Sequence, residues 1–435
     1  MLLVYVHKIT PRVTYIFKHI FFRMLGIQVE FTTKSEAFIP FKGPKISYAL
    51  KPLFDEFNVK PHKLLFEQGV SDLEIQLSDW NGITCFFQTA PQDEIPFDVF
   101  AASFYLISRY EEYLPHVLDQ HMRFSGNESI AFKNNFLEKP IIDIWALRLL
   151  DKLKVKYPSL MYQERQFKFL STIDVDLAFA YKHKGFIRSL IGYLKDLSQL
   201  NFSNIKTRTL VLLNLRNDPN DTFNELLRIH EHYNLTTHFF FLLSDYSSFD
   251  TNNSVNSTIF QSLIKSVADF AKVGLHPSYY TMKNFQKLNK EVKRLEEITN
   301  IPVKMSRQHF LRLKLPDTYH HLIDLEIAED YTMGYSKYPG FRAGTCTPFY
   351  FYDLDYEIQT PLRIVPFAVM DATLNDYMGL TADEGLQKIA SLLQEVKNVN
   401  GTFVTLFHND TLSENERWRG WSGVYEEVVK LATKA

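Results

Sequence analysis

From about residue 166 onward, short apolar runs alternate with longer segments in which apolar residues recur every three or four positions. The runs cover 167–173, 236–243, 271–275, 303–305, 362–369 and 402–407. Helical patterns lie between them near 221–233, 257–270, 284–299, 316–327 and 381–399. Asp221 and Thr381 are predicted N-caps. Unbroken apolar runs alternating with helices predict buried parallel strands, hence an α/β sheet or a barrel of β/α units.

Residues 1–160 have a different texture and are read as a smaller N-terminal α+β domain, with a second domain over 165–435. Phe97, Phe100, Ala101, Phe104 and Ile107 share one helical face. Arg109, Glu111 and Glu112 crowd the end of that helix, and a charged end at water or at a domain interface is the expected role. Asp119, His121 and Arg123 have metal-ligand chemistry, but their spacing alone assigns them nothing. Another helix opens at 140–145 and runs to about Val155, and Tyr157-Pro158 begins a linker. The apolar stretch Ile16–Ile27 is broken by Lys18, His19 and Arg23, too short and too charged to span a bilayer. It is read first as a partly buried basic helix and second as a membrane-surface helix.

Apolar residues make up 46% of the 435 and the net charge is −2, so the chain can bury a large core and carries no basic nucleic-acid footprint. Cys85 and Cys346 form no disulfide framework. That usage fits a cytoplasmic protein, with peripheral membrane contact through the N-terminal basic segment as the alternative.

In folds of this class chemistry collects at the C-terminal ends of the strands. The run 167–173 is followed by Asp174 and Asp176, two positions that leave one side of a strand. The run 271–275 is followed by His276, the run 303–305 by Arg307 and His309, and the run 402–407 by His408. Between these lies a glycine-containing stretch, 330–345, with Tyr335, Tyr338 and Arg342. A carboxylate with imidazoles suits zinc or a similar divalent ion. A second carboxylate held ionised by an arginine can act as a base, and a further histidine can protonate a leaving nitrogen.

The order and context of Asp174-Val-Asp176, Val-Gly-Leu-His276, Arg307 and His408 resemble the polysaccharide deacetylases, carbohydrate esterases with a NodB-type homology domain. The likeness is strongest to the branch that includes deformylases of lipid-linked aminoarabinose, and it spans roughly 165–415. It implies a distorted (β/α)7 barrel and hydrolytic removal of an N- or O-acyl group from a carbohydrate or lipid-linked sugar in surface-polysaccharide metabolism. Position by position, it implies Asp174 as base, Asp176 and His276 as ligands of a divalent metal such as Zn2+, Arg307 as the residue orienting the base, and His408 as the acid. The family pattern has a second metal histidine four residues after the first, where this chain has Tyr280. His309 is the first choice for the missing ligand, ahead of His183 or a water. Arg342, Tyr335 and Tyr338, with Tyr280, are expected to contact the sugar. An inactive glycan-binding or scaffolding protein is the alternative that Tyr280 favours.

Overall fold

The computed structural model describes residues 1–413 and 415–434. Its first sheet is formed by β1 (Leu2–Val6), β2 (Val29–Thr32), β3 (Lys45–Tyr48) and β4 (Phe57–Val59). These strands are parallel throughout and ordered β2-β1-β3-β4, so the block has α/β rather than α+β character. A separate antiparallel hairpin joins β5 (Leu77–Asp79) to β6 (Thr84–Phe86).

The crossover from β1 is the helix Pro11–Phe17, continued as a π-helix over Lys18–Met24. Pro11 at its first turn and Thr10, whose Oγ1 accepts from the Val13 N–H at 3.1 Å, start it. Ile16, Phe17, Ile20 and Phe21 are fully buried, and Phe17 stacks on Phe100 at 3.7 Å between ring centroids. This corrects the surface-helix reading of Ile16–Ile27, because its apolar face is core and is closed to a membrane. Among the described residues no helix is long and apolar enough to cross one.

The main sheet comprises β7 (Lys168–Val175), β8 (Thr237–Phe241), β9 (Lys272–Leu275), β10 (Met305–Ser306), β11 (Glu329–Asp330), β12 (Phe349–Asp353), β13 (Ile358–Ile364), β14 (Val369–Met370) and β15 (Thr402–His408). It runs in the order β12-β13-β11-β10-β9-β8-β7-β15-β14. Only the β12–β13 pairing is antiparallel. The central strands are apolar on both faces, as a sheet covered by helices requires: all five residues of β8 are buried. In β13, burial alternates instead, and the register with β12 shifts beside Pro361, which has no N–H to donate.

The predicted run at 362–369 is thus two strands, β13 and β14, separated at 365–368. Thr381 caps the helix Ala382–Asn398 in a full capping box with Glu384. Asp221 is not a cap; the helix Phe223–His232 starts from Thr222, whose side chain makes no capping bond.

The two sequence blocks meet over a buried charge cluster. Glu112 accepts from the Arg109 Nε at 2.8 Å and from Arg342 through Nε at 2.9 Å and Nη2 at 2.6 Å. Arg109, which has φ 57°, also pairs with Glu111 at 2.8 Å and donates to the Arg342 carbonyl. Burial pushes the Glu112 carboxyl up, but Arg342 and Arg109 outweigh it and hold the group at about 2. Of the two places expected for the helix-end charges, water or an interface, they take the interface.

Removing Glu112 would strand two guanidinium groups without a shared counter-charge. Glu112→Ala is expected to cost about 3–5 kcal/mol in urea denaturation.

Candidate metal centre

Four strand ends deliver the polar groups. Asp174, next to last in β7, is in register with Phe240 on one side and His408, the last residue of β15, on the other. The His276 N–H donates to the Phe241 carbonyl at 2.9 Å, and the Arg307 N–H donates to the Leu275 carbonyl at 3.0 Å. These ladder bonds set where β9 and β10 stop and their side chains begin.

Asp174 is buried and accepts from the Arg307 Nη1 at 2.8 Å. Arg307 is itself fully buried, with its Nε on the Tyr331 carbonyl at 3.0 Å and its guanidinium 4.7 Å from the Phe240 ring centroid. Two residues on, the Asp176 side chain is 37% exposed, enough to be reached from the cavity it lines with Asp174, His276, His309 and His408. The His276 Nε2 lies 3.1 Å from Asp176 Oδ1, the His309 Nε2 3.5 Å and the His408 Nε2 3.9 Å from Oδ2. Asp176, His276 and His309 each offer one donor atom, all within 4.8 Å of one another.

Each imidazole is oriented from behind. The His276 Nδ1 lies 2.5 Å from the Arg307 carbonyl, which can only accept, so Nδ1 carries the hydrogen and Nε2 is the ring atom that faces Asp176. The His309 Nδ1 sits 2.9 Å from Asp250 Oδ1, and the His408 Nδ1 2.8 Å from Asp371 Oδ1. Asp250 is fixed in turn by the Tyr279 N–H at 2.8 Å and the Ser247 hydroxyl at 2.8 Å. Asp371 accepts the His408 N–H at 2.7 Å and the Thr411 hydroxyl.

Burial pushes the Asp176 carboxyl up, yet His309 and His276 outweigh it and hold it well below the usual range. Burial pulls His309 down, while Asp176 and Asp250 push it up to about 9. The same contest, with Asp371 and Asp176, takes His408 to about 10. Asp176 Oδ1 is buried with no hydrogen-bond partner, 3.1 Å from the His276 Nε2. A carboxylate oxygen and a ring nitrogen at that distance call for a proton or a cation between them. Two imidazoles, each with an orienting partner, and a carboxylate are a donor set suited to zinc.

The structure brings Asp174, Asp176, His276, Arg307, His309 and His408 together. Tyr280, at the place of the expected second histidine, is 43% exposed and points to Ser248, 3.4 Å away. His183 lies apart, its ring against Phe179 at 4.8 Å. Three expected sugar contacts are corrected. Arg342 is locked on Glu112, the Tyr335 hydroxyl faces the Arg109 Nη2 at 3.1 Å, and Tyr338 packs on Phe132 at 4.4 Å between centroids. All three serve the interface with the N-terminal block rather than the cavity.

Asp119 pairs with Arg123 at 2.7 Å, and His121 meets the Tyr279 hydroxyl at 3.2 Å. Of that trio Arg123 lines the cavity, as do Arg417 and Tyr377. Sequence reasoning missed Asp371 and Asp250. Asp371 directly follows the strand Val369–Met370, so the strand-end rule could have found it; Asp250 lies in a loop with no such signal.

The profile of a family of unknown function, DUF7033, matches residues 2–158. No curated protein matches the chain. Among solved structures, a candidate polysaccharide deacetylase from Mycobacterium smegmatis is 14% identical with a TM-score of 0.41, over 63% of this chain and 86% of that one. A CE4 family pseudoenzyme from Bacillus anthracis is 13% identical with a TM-score of 0.28, over 60% and 62%. The polysaccharide deacetylase Bc1974 from Bacillus cereus is 12% identical with a TM-score of 0.28, over 61% and 88%. These are remote likenesses, and the reading of the site rests on its own geometry.

Behind the His276 loop, Glu291 accepts from the Ser278 N–H at 2.9 Å and hydroxyl at 2.6 Å. Burial pushes its carboxyl from the usual 4.5 up to about 7 despite those bonds. The folded state then holds a proton that the unfolded state releases, so stability falls as pH rises from 4.5 through 7. Glu291→Gln, which cannot ionise, is expected to flatten that part of the stability–pH profile measured by chemical denaturation.

Proposed function

We propose that the chain is a metal-dependent hydrolase that removes an N- or O-acyl group from a carbohydrate. The observation that carries the reading is the convergence of Asp176, His276 and His309 on one point, with the Arg307-held Asp174 on one side and His408 on the other. The carbohydrate substrate rests on the motif resemblance alone.

Asp176, His276 and His309 are the residues that would hold the ion. When bound, such an ion polarises an acyl carbonyl and lowers the pKa of water. Asp174 takes the proton from the attacking water, and Arg307, donating to it at 2.8 Å, aims its carboxylate. Arg307 cannot leave this position, because it is fully buried and tied to Tyr331 as well. His408, charged by Asp371, stands where it can give a proton to the departing nitrogen or oxygen. Met370 and Leu406 line the cavity and would meet the acyl chain, and Arg123 and Arg417 line it as well.

Tyr280 no longer argues for an inactive protein in this reading, since His309 provides a third donor from the next strand end. Its pairing with Asp250 leaves Nε2 as the ring atom on the Asp176 side.

Zinc titration by calorimetry is expected to give one ion per chain. Asp176→Ala and His276→Ala are expected to abolish binding, and Tyr280→Phe to leave it unchanged. Asp250→Asn is expected to weaken it by about 10–100-fold through the freed His309 ring. A chain that stays metal-free in excess zinc sinks the proposal.

Against a panel of N-acetylated and N-formylated amino-sugar glycans, Asp174→Asn is expected to lower kcat by about 10²–10⁴-fold with zinc content unchanged. Release of acetate or formate, followed chromatographically, identifies the acyl group. Oligosaccharide binding without acyl release by the zinc-loaded protein would establish the glycan-binding alternative.

A further inference from the structure

Between β7 and β8 the chain makes a long excursion that contains the helices Phe186–Ser198 and Phe202–Leu212. The first is amphipathic but faces the wrong way for a core helix. Phe186, Ile187, Leu190, Ile191, Leu194 and Leu197 follow a helical stripe and are between 49% and 83% exposed. Its polar side is turned inward, where Asp196 is buried against Arg208 of the second helix at 2.7 Å. The apolar surface continues beyond the stripe, through Leu200 at 71% and Phe202 at 64% exposed, to Leu213 at 63% and Leu215 at 71%. An apolar surface of this continuity marks an interaction site.

The charge around it says with what. Residues 181–216 carry seven lysines and arginines against one aspartate, while the whole chain has a net charge of −2. Arg208 is spent on Asp196, but Lys195, Lys206 and Arg216 are exposed. A second copy of the hairpin would bring like charges face to face. An apolar stripe with basic residues on its flanks is the pattern of a helix lying in an anionic membrane interface.

The hairpin is fixed to the site rather than loosely tethered. Asp218 accepts the N–H groups of Ala180, Tyr181 and Lys182 at 2.7, 2.8 and 2.9 Å, and Asn220 donates to the Leu177 carbonyl at 2.9 Å. Its base therefore abuts Asp176. Arg188 of the first helix donates to the Asn252 carbonyl at 3.4 Å, two residues from the Asp250 that orients His309.

We propose that this hairpin docks the protein on an anionic lipid bilayer, with its apolar stripe in the headgroup region and the Asp176 cavity beside the membrane surface. The proposal does not depend on the chemistry of the cavity.

The test is sedimentation of the full chain with vesicles of phosphatidylcholine alone or mixed with phosphatidylglycerol. Binding to the mixed vesicles is expected to be at least about tenfold tighter, and to weaken as salt is raised. Two variants address the two halves of the argument: Ile187→Ser/Ile191→Ser/Leu194→Ser and Lys195→Glu/Lys206→Glu/Arg216→Glu. Each alters only exposed side chains, and each is expected to lose about tenfold in affinity while keeping the parent circular dichroism and melting temperature. Phe186→Trp gives a reading that needs no loss of function: its emission is expected to shift to the blue on mixed vesicles. The proposal is overturned if the parent chain stays in the supernatant with mixed vesicles, or if folded variants bind as it does. It is equally overturned if the serine variant merely converts a dimer to a monomer, seen by light scattering, without changing vesicle affinity.

Discussion

Two carboxylates leave one side of β7 two residues apart, and at that spacing each needs its own positive partner. Asp174 and Asp176 are both within 4 Å of the His276 Nε2, at 3.8 and 3.1 Å. The rest of the site is a solution to that problem. Arg307, permanently charged and fully buried, satisfies Asp174. Asp176 is left to groups whose charge can change, the three imidazoles around it. Because these are asymmetric in their needs, the two acids become chemically distinct despite their shared strand. One is paired with a buried guanidinium and one faces three imidazoles.

A further layer keeps the imidazoles honest to those roles. Asp250 and Asp371 sit behind His309 and His408, and a backbone carbonyl sits behind His276. The difference matters. A carboxylate behind a ring favours the imidazolium and strengthens the ring as a donor, whereas a carbonyl fixes the tautomer with a smaller effect on charge. The site thus holds one weakly and two strongly supported histidines, all aimed at a single carboxylate.

Much of this was legible in the sequence because the sheet is parallel. Parallel strands buried on both faces read as unbroken apolar runs, and their ends mark where Asp174, Asp176, His276, Arg307 and His408 stand. What failed was of a different kind. Arg342, Tyr335 and Tyr338 were read as cavity residues from their place in a glycine-containing loop, but whether such a loop faces a ligand or another part of the chain depends on packing that no local pattern encodes. Glu112, far away in sequence, claims Arg342. Asp250 was invisible for the same reason, since a loop aspartate acquires its role only when His309 arrives from another strand. The strands β1 to β4 were missed because the predicted runs begin only at residue 167, where regular alternation with helical patterns sets in. The hairpin helices were missed because an inward-facing polar side reverses the rule by which amphipathic helices are placed.

The hydrophobic core runs without a break from residues of β1 through those of β15 and the C-terminal helix Trp421–Thr433. Tyr15 and Phe104 pack on Tyr352 at 4.9 and 5.1 Å between ring centroids, and Arg12 reaches Glu357 through two hydrogen bonds. The boundary visible in the sequence near residue 160 is therefore crossed by continuous packing and by charge pairs. A cut there would bare aromatic surface on both halves and split those pairs. The N-terminal block is thus part of the wall around the Asp176 cavity, to which it contributes Arg123.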